Sequence, residues 1–172
     1  MKSAQPFTET HYALPRCRLR LLQEKESDLI AAQLAAMDPW KALNYPADDL
    51  ARYLRAVDPA LRRFGVHKPQ GSLAGVICIR YPWLRGPYLE LLGLTADQQG
   101  VGLGGELLEW FTRQARLGAC NAWVVVSAFN RRARTFYQRH GFTEVGVLDG
   151  LVRPGHEEIL LRKVVRKSFV DE

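Results

Sequence analysis

Cysteine is scarce in this 172-residue chain, which has three, Cys17, Cys78 and Cys120. They show no metal-ligand spacing, and an odd, scattered set excludes a disulfide framework and fits reduced thiols in a cytosol. Long apolar runs are missing too. None approaches the ~18 residues a membrane span requires. The first twenty residues, MKSAQPFTETHYALPRCRLR, have neither the apolar core nor the cleavage pattern of a secretory signal. The expectation is a cytoplasmic protein with no membrane partner. Lysine is sparse, 6 of 24 basic residues, the other 18 being arginine. Acidic residues vanish altogether from Trp110 through Thr143, a stretch that holds six arginines.

What is present is ordinary for a globular protein: 47% apolar and 24% charged residues. A chain of this length is expected to form one domain and to bury roughly 70% of its unfolded surface, so it needs no metal or disulfide staple. Residues 1–15 read as an irregular, polar lead-in and residues 16–172 as the domain. The net charge is +6 and the pI about 9.5. Arginine makes forked contacts with phosphates and carboxylates, so an anionic ligand or a solvated basic surface accounts for the excess. A nucleic-acid binder would cluster its arginines with exposed aromatics on one face. Here the six-arginine stretch brackets a predicted ligand groove instead, and no nucleic-acid partner is expected.

Hydrophobic periodicity orders the chain. Arg16 to Leu22 alternates as a half-buried strand. Ser27 is placed to cap a helix carrying Ile30, Leu34 and Met37, which Asp38-Pro39 ends. A second helix covers Ala47 to Val57. Strands at 62–67 and 72–81 flank the turn Lys68-Pro69-Gln70-Gly71, and a further turn, Pro82 to Pro87, leads into a fourth strand, Tyr88 to Leu94. Leu103, Leu107, Phe111 and Ala115 then fall on one face of a strongly amphipathic helix. Trp123 to Ser127 is apolar enough to be buried on both faces. A helix over 131–139 and two strands, 143–148 and 156–164, close the chain. This is one mixed α/β sheet with helices on its faces.

The segment from Leu94 to Trp110, LTADQQGVGLGGELLEW, carries the most chemistry. Glycines let backbone N–H groups approach a ligand, and a helix N-terminus adds about half a positive charge, so strand, glycine loop and helix together form an anion site. A Walker loop would need Lys-Ser/Thr after its last glycine, but Glu106 follows Gly105. A dinucleotide site matches Gly100, Gly102 and Gly105 literally but needs an acidic residue about 20 positions on, and there is none. A ligand-free helix start tightened by glycines is the remaining structural alternative.

Two motifs separate these readings. Gln99-Gly100-Val101-Gly102-Leu103-Gly104 resembles the Q/R-x-x-G-x-G/A signature of the GNAT superfamily of acyl-CoA-dependent N-acetyltransferases. Residues 130–142, NRRARTFYQRHGF, resemble the family's later motif, with Asn130, Ala133, Phe136, Tyr137, Gly141 and Phe142 in place. The resemblance covers roughly residues 16–165. It implies the GNAT acyl-CoA N-acyltransferase fold: a mostly antiparallel sheet, helices on both faces, and a fourth and fifth strand that splay into a V-shaped gap.

The resemblance also implies acetyl-CoA as cosubstrate and no metal. Gln99, Gly100, Val101, Gly102, Leu103 and Gly104 would hold its pyrophosphate, Leu92, Gly93 and Leu94 its pantetheine arm, and Asn130, Arg132 and Ala133 would add contacts. Gly93 suits a bulge or a close backbone approach. Arg131, Arg132 and Arg134 fall in the first turn of the 131–139 helix, where cations are unfavourable; a 3′-phosphate would meet Arg131 or Arg132, the alternative being a solvated basic face. Tyr137 matches the position proposed as general acid for the departing thiolate, the alternative being a core aromatic beside Phe136. Glu90, with Tyr88 and Leu92 on its strand face, is the candidate base, the alternative being an ion pair with a neighbour such as Arg80. Ser127 either orients a water or is a satisfied strand-end hydroxyl. Asp38, Pro39, Trp40 and Tyr45, the tip Tyr81-Pro82-Trp83, and Asp48 or Asp49 would build the acceptor pocket, unless the aromatics are ordinary loop packing. The expected reaction is acetyl transfer to a primary amine, a small molecule in preference to a protein N-terminus or lysine, by direct attack in a ternary complex. A non-catalytic acyl-CoA-binding protein is the rival reading, and a homodimer is compatible with either.

Overall fold

The structure, a computed structural model, describes residues 5–166. Its strands are β1 (His11–Ala13), β2 (Arg18–Leu21), β3 (Leu61–His67), β4 (Leu73–Trp83), β5 (Gly86–Leu94), β6 (Asn121–Ser127), β7 (Thr143–Asp149) and β8 (Glu157–Val164). The helices are α1 (Glu24–Ala35), α2 (Ala47–Arg55), α3 (Leu103–Arg116) and α4 (Arg131–Arg139). All eight strands join one sheet in the order β1-β2-β3-β4-β5-β6-β8-β7, antiparallel except where β5 meets β6.

Both faces are covered. On one, Ile30, Leu34, Leu50 and Leu54 of α1 and α2 pack on Val76, Cys78 and Leu91. On the other, Leu103, Leu107, Phe111 and Ala115 of α3 meet Ile77, Ile79 and Leu89. Alternate residues of β4 therefore serve opposite cores, which is why its apolar run is continuous. Each such buried aliphatic side chain contributes about 1.5–3 kcal/mol against exposure.

Two elements differ from the sequence reading. Residues 1–15 are not wholly an irregular lead-in, since His11–Ala13 pairs with Arg18–Arg20 and Phe7 is buried in the α3 core. The helix α1 begins one turn before Ser27, because Gln23 is its N-cap and Glu26 returns a carboxylate oxygen to the Gln23 N–H at 3.0 Å. A carboxylate at the third helical position closes that reciprocal cap. Ser27 lies inside the helix, its hydroxyl donating to the Gln23 carbonyl.

The sheet opens where the family resemblance implies a splay. Only Tyr88–Trp123 and Leu89–Val124 pair across β5 and β6. Beyond them the two strands diverge. At the same place the β4–β5 register slips, with Cys78 opposite Leu91 and Ile79 opposite Leu89. Glu90 is the extra residue, and such a bulge re-aims side chains.

Candidate active site

The glycine loop lies at the C-terminal end of β5. Gly100 has φ +74 and Gly102 φ +87, left-handed backbone that favours glycine, and Gly102 is the N-cap of α3. The first amides of α3 point away from any helical acceptor, as in every helix start. Arg132 of α4 leans over this turn, its guanidinium 3.8 Å from where a Gly100 Cβ would stand and 3.4 Å from the Gln99 side-chain oxygen. Arg16, which sequence reasoning did not connect to the loop, donates to the Val101 carbonyl at 2.6 Å, and its own N–H donates to Glu106 at 2.9 Å. Arg132 and Arg16, the latter also 3.8 Å from the Glu106 carboxylate, thus flank a turn that opens a helix, a donor set that fits a diphosphate. The amide nitrogen of Gln99 points inward and donates to the Leu94 carbonyl at 3.2 Å.

A cleft of about 360 Å³ follows the gap between β5 and β6. It brings together Leu92, Asn130, Ala133 and Tyr137 with Glu90 and Glu158. Asn130 caps α4, its side-chain oxygen accepting from the Ala133 N–H at 3.1 Å. Tyr137 is 8% exposed and packs edge-on against Phe136 and Phe142, and burial holds its hydroxyl well above the usual phenol pKa, with a further push from Tyr88. Phe136, the other half of the aromatic pair, turns toward Gly104 and His140. Tyr88 is pushed up to about 12, first by burial and then by the charges of Glu90 and Glu158.

Several expectations change. Glu90 takes the ion-pair alternative: Arg80 Nε donates to it at 2.6 Å, Arg80 Nη2 at 3.3 Å and the Tyr53 hydroxyl at 3.1 Å. The bulge separates it from Leu92, which packs with the α3 core while Glu90 reaches toward α2. Gly93 is no bulge. A Cβ there would stand 2.4 Å from Leu34 and 3.2 Å from Trp40, so glycine lets α1 and its following loop approach the strand. In the same first turn of α4 as Arg131 and Arg132, Arg134 is held by Glu144 at 2.7 Å and by the Ala128 carbonyl. Asp38 accepts from the Ala42 N–H. Tyr81 and Trp83 point elsewhere, Tyr81 to the Gly118 carbonyl and Trp83 onto Tyr88 and Trp123.

The cleft's outer wall is Pro39, Trp40, Tyr45 and Asp49, facing Leu151 and Val152 of the β7–β8 loop. The two loops are tied by Arg153, which donates to the Asn44 carbonyl at 2.8 Å and stacks over Tyr45. Glu158 is the residue sequence reasoning missed. It lies opposite Ser127 across β6 and β8, is 3% exposed, and accepts from the Ser127 hydroxyl at 2.9 and 3.1 Å. Its environment depends on which strand neighbours β6, which no local pattern states. Among the described residues, no group of three His, Cys, Asp or Glu side chains is placed to hold a metal ion.

The chain belongs to the GNAT acetyltransferase family, whose profile matches residues 26–142. Over 113 residues it is 31% identical to the 5-NmdU N-acetyltransferase of Pseudomonas phage PaMx11, covering 62% of this chain and 76% of that protein. Among solved structures, an acetyltransferase from Thermus thermophilus is 26% identical with a TM-score of 0.70, covering 89% of this chain and 99% of that one. Nourseothricin acetyltransferase is 29% identical with a TM-score of 0.57, covering 63% and 68%.

Proposed function

We propose that this acetyltransferase moves the acetyl group of acetyl-CoA to a primary amine on a small molecule, by direct attack in a ternary complex. The observation that carries the reading is convergence. Helix α4 links the two halves: its Arg132 leans over the glycine turn, and its Ala133 and Tyr137 border the cleft together with Leu92 on the freed edge of β5. Gln99, Gly100, Val101, Gly102, Leu103 and Gly104 form the diphosphate cradle. Leu92, Gly93 and Leu94 offer backbone groups past the point where β6 departs, so that a pantetheine arm adds to the sheet as a strand would. Asn130 and Ala133 wall the arm beside Tyr137. Bound there, acetyl-CoA supplies a thioester carbonyl activated for attack.

Tyr137 serves the departing sulfur. A buried phenol whose pKa lies above its usual ~10 keeps its proton at neutral pH. It is a weaker acid than a thiol of about 8.5, so its contribution is a hydrogen bond that stabilises developing thiolate charge more than complete proton transfer. The outer aromatics Trp40 and Tyr45 suit the body of the acceptor. Two relatives named for 5-NmdU and nourseothricin, rather than for a protein, support a small acceptor.

Release of free CoA, followed with a thiol reagent over a panel of small amines, lysine and N-terminal peptides, tests the reading. Release with at least one small primary amine is expected. Turnover confined to peptides would move the acceptor to protein. Tight acetyl-CoA binding by calorimetry with silence across the panel would make the chain a non-catalytic acyl-CoA-binding protein.

A further inference from the structure

Two glutamates, Glu90 and Glu158, line the cleft, and their surroundings differ. Glu90 is satisfied: two nitrogens of Arg80 and the Tyr53 hydroxyl engage both its oxygens. Taking a proton would mean giving up that ion pair. Glu158 is more deeply buried, yet among the described residues only the Ser127 hydroxyl donates to it. One hydroxyl carries one proton, shared between the two carboxylate oxygens, so most of their lone pairs stay open. A buried carboxylate is costly unless a cation or several donors compensate it. The cleft that Glu158 borders also holds Tyr137 and opens to the aromatic wall.

We propose that Glu158, held by Ser127 at the end of the splayed strand, anchors the ammonium group of the acceptor and takes its proton. The proposal rests on the cleft being the acceptor site of the transferase. The acceptor class that follows is a primary amine protonated in solution, borne on a body flat enough for Trp40 and Tyr45. In the step, one N–H bond of the ammonium breaks and the proton passes to a Glu158 oxygen. The electron pair stays on nitrogen, which becomes the neutral nucleophile. The carboxyl later returns the proton to solvent through the open cleft.

The local chemistry agrees. Burial pushes the Glu158 carboxyl above the usual range, while the Ser127 hydrogen bond and the charge of His156 pull it partly back. The other titratable groups around it are Tyr88 and Glu90 of β5 and Tyr137 of α4, and β7 brings only Leu148 opposite it. A carboxyl raised by burial is a better base than one clamped by arginine.

The test uses benzylamine as probe on the full chain. Into the wild-type protein–CoA complex, benzylamine should bind by calorimetry. Glu158→Gln should weaken that binding roughly tenfold or more, the worth of one charge-assisted contact, with CoA affinity unchanged. With acetyl-CoA, kcat/KM for benzylamine should fall by about a hundredfold, and the acidic limb of its pH profile should disappear. Ser127→Ala, a gentler change, should move that limb to higher pH, because the charged form loses its donor. Equal benzylamine affinity in Glu158→Gln, an unmoved limb in both variants, loss of CoA affinity in Glu158→Gln, or no benzylamine binding to the wild type would overturn the proposal. Benzylamine binding that depends on Glu158 without any CoA release from acetyl-CoA would instead contradict the transferase reading and leave the ammonium anchor standing.

Discussion

At the scale of single residues, side-chain identity was readable and side-chain surroundings were not. Asn130 caps α4 and Tyr137 lines the cleft beside it, because a helix cap and the residues on its face depend on sequence neighbours only. Glu90 follows no such local rule, because a one-residue bulge turned it toward Arg80 and Tyr53, and bulges leave no periodic signature. Glu158 stayed hidden because its partner is 31 positions away in Ser127. Tyr137→Phe removes only the hydroxyl. Turnover should drop roughly 10- to 100-fold while acetyl-CoA affinity by calorimetry is unchanged. Because burial raises the Tyr137 pKa, the wild type should show no loss of turnover from its ionisation below pH ~10. An alkaline limb near neutrality that vanishes in Tyr137→Phe would contradict this.

At the scale of elements, the helix faces were legible throughout, since α3 buries Leu103, Leu107, Phe111 and Ala115 as their spacing predicts. Boundaries were less so: Glu26 moved the start of α1, and Phe7 drew the lead-in onto the core. The glycine loop is an element whose backbone matters more than its side chains. Gly102→Glu puts a side chain at φ +87, within 2.6 Å of Arg16 at its Cβ, and a carboxylate beside the anion cradle. Acetyl-CoA binding should be lost by calorimetry, with a thermal melt confirming that the variant still folds. The loop pair over the cleft makes a separate prediction. Arg153→Ala removes the tie to Asn44 and Tyr45. It should raise the amine KM several-fold, about 1 kcal/mol for one hydrogen bond, and leave kcat and CoA affinity near wild type in steady-state kinetics.

At the scale of the whole molecule, the order of elements and the two-faced sheet followed from periodicity, whereas the gap between β5 and β6 came from the family resemblance and is seen here in two paired positions followed by divergence. The sheet is braced far from the cleft by Glu26, which accepts from His67 at 2.8 Å, Arg20 at 2.7 Å and the Gln23 N–H at 3.0 Å. Burial pushes the Glu26 carboxyl up, but the His67 and Gln23 hydrogen bonds and the His67 and Arg20 charges outweigh it, so its pKa is lowered. A depressed carboxyl stabilises the fold fully above its unfolded value of about 4.3 and loses that contribution as pH falls through the folded value. Glu26→Gln should therefore lower the melting temperature at neutral pH, and the gap to wild type should narrow below pH ~4. A constant gap across that range would contradict the assignment.

Hydrogen exchange of backbone amides with and without saturating acetyl-CoA tests the central claim most directly. The account predicts slowed exchange confined to residues 92–94 and 99–104 and the first turn of α4. Unchanged exchange at those amides, or protection centred elsewhere on the sheet, would contradict it.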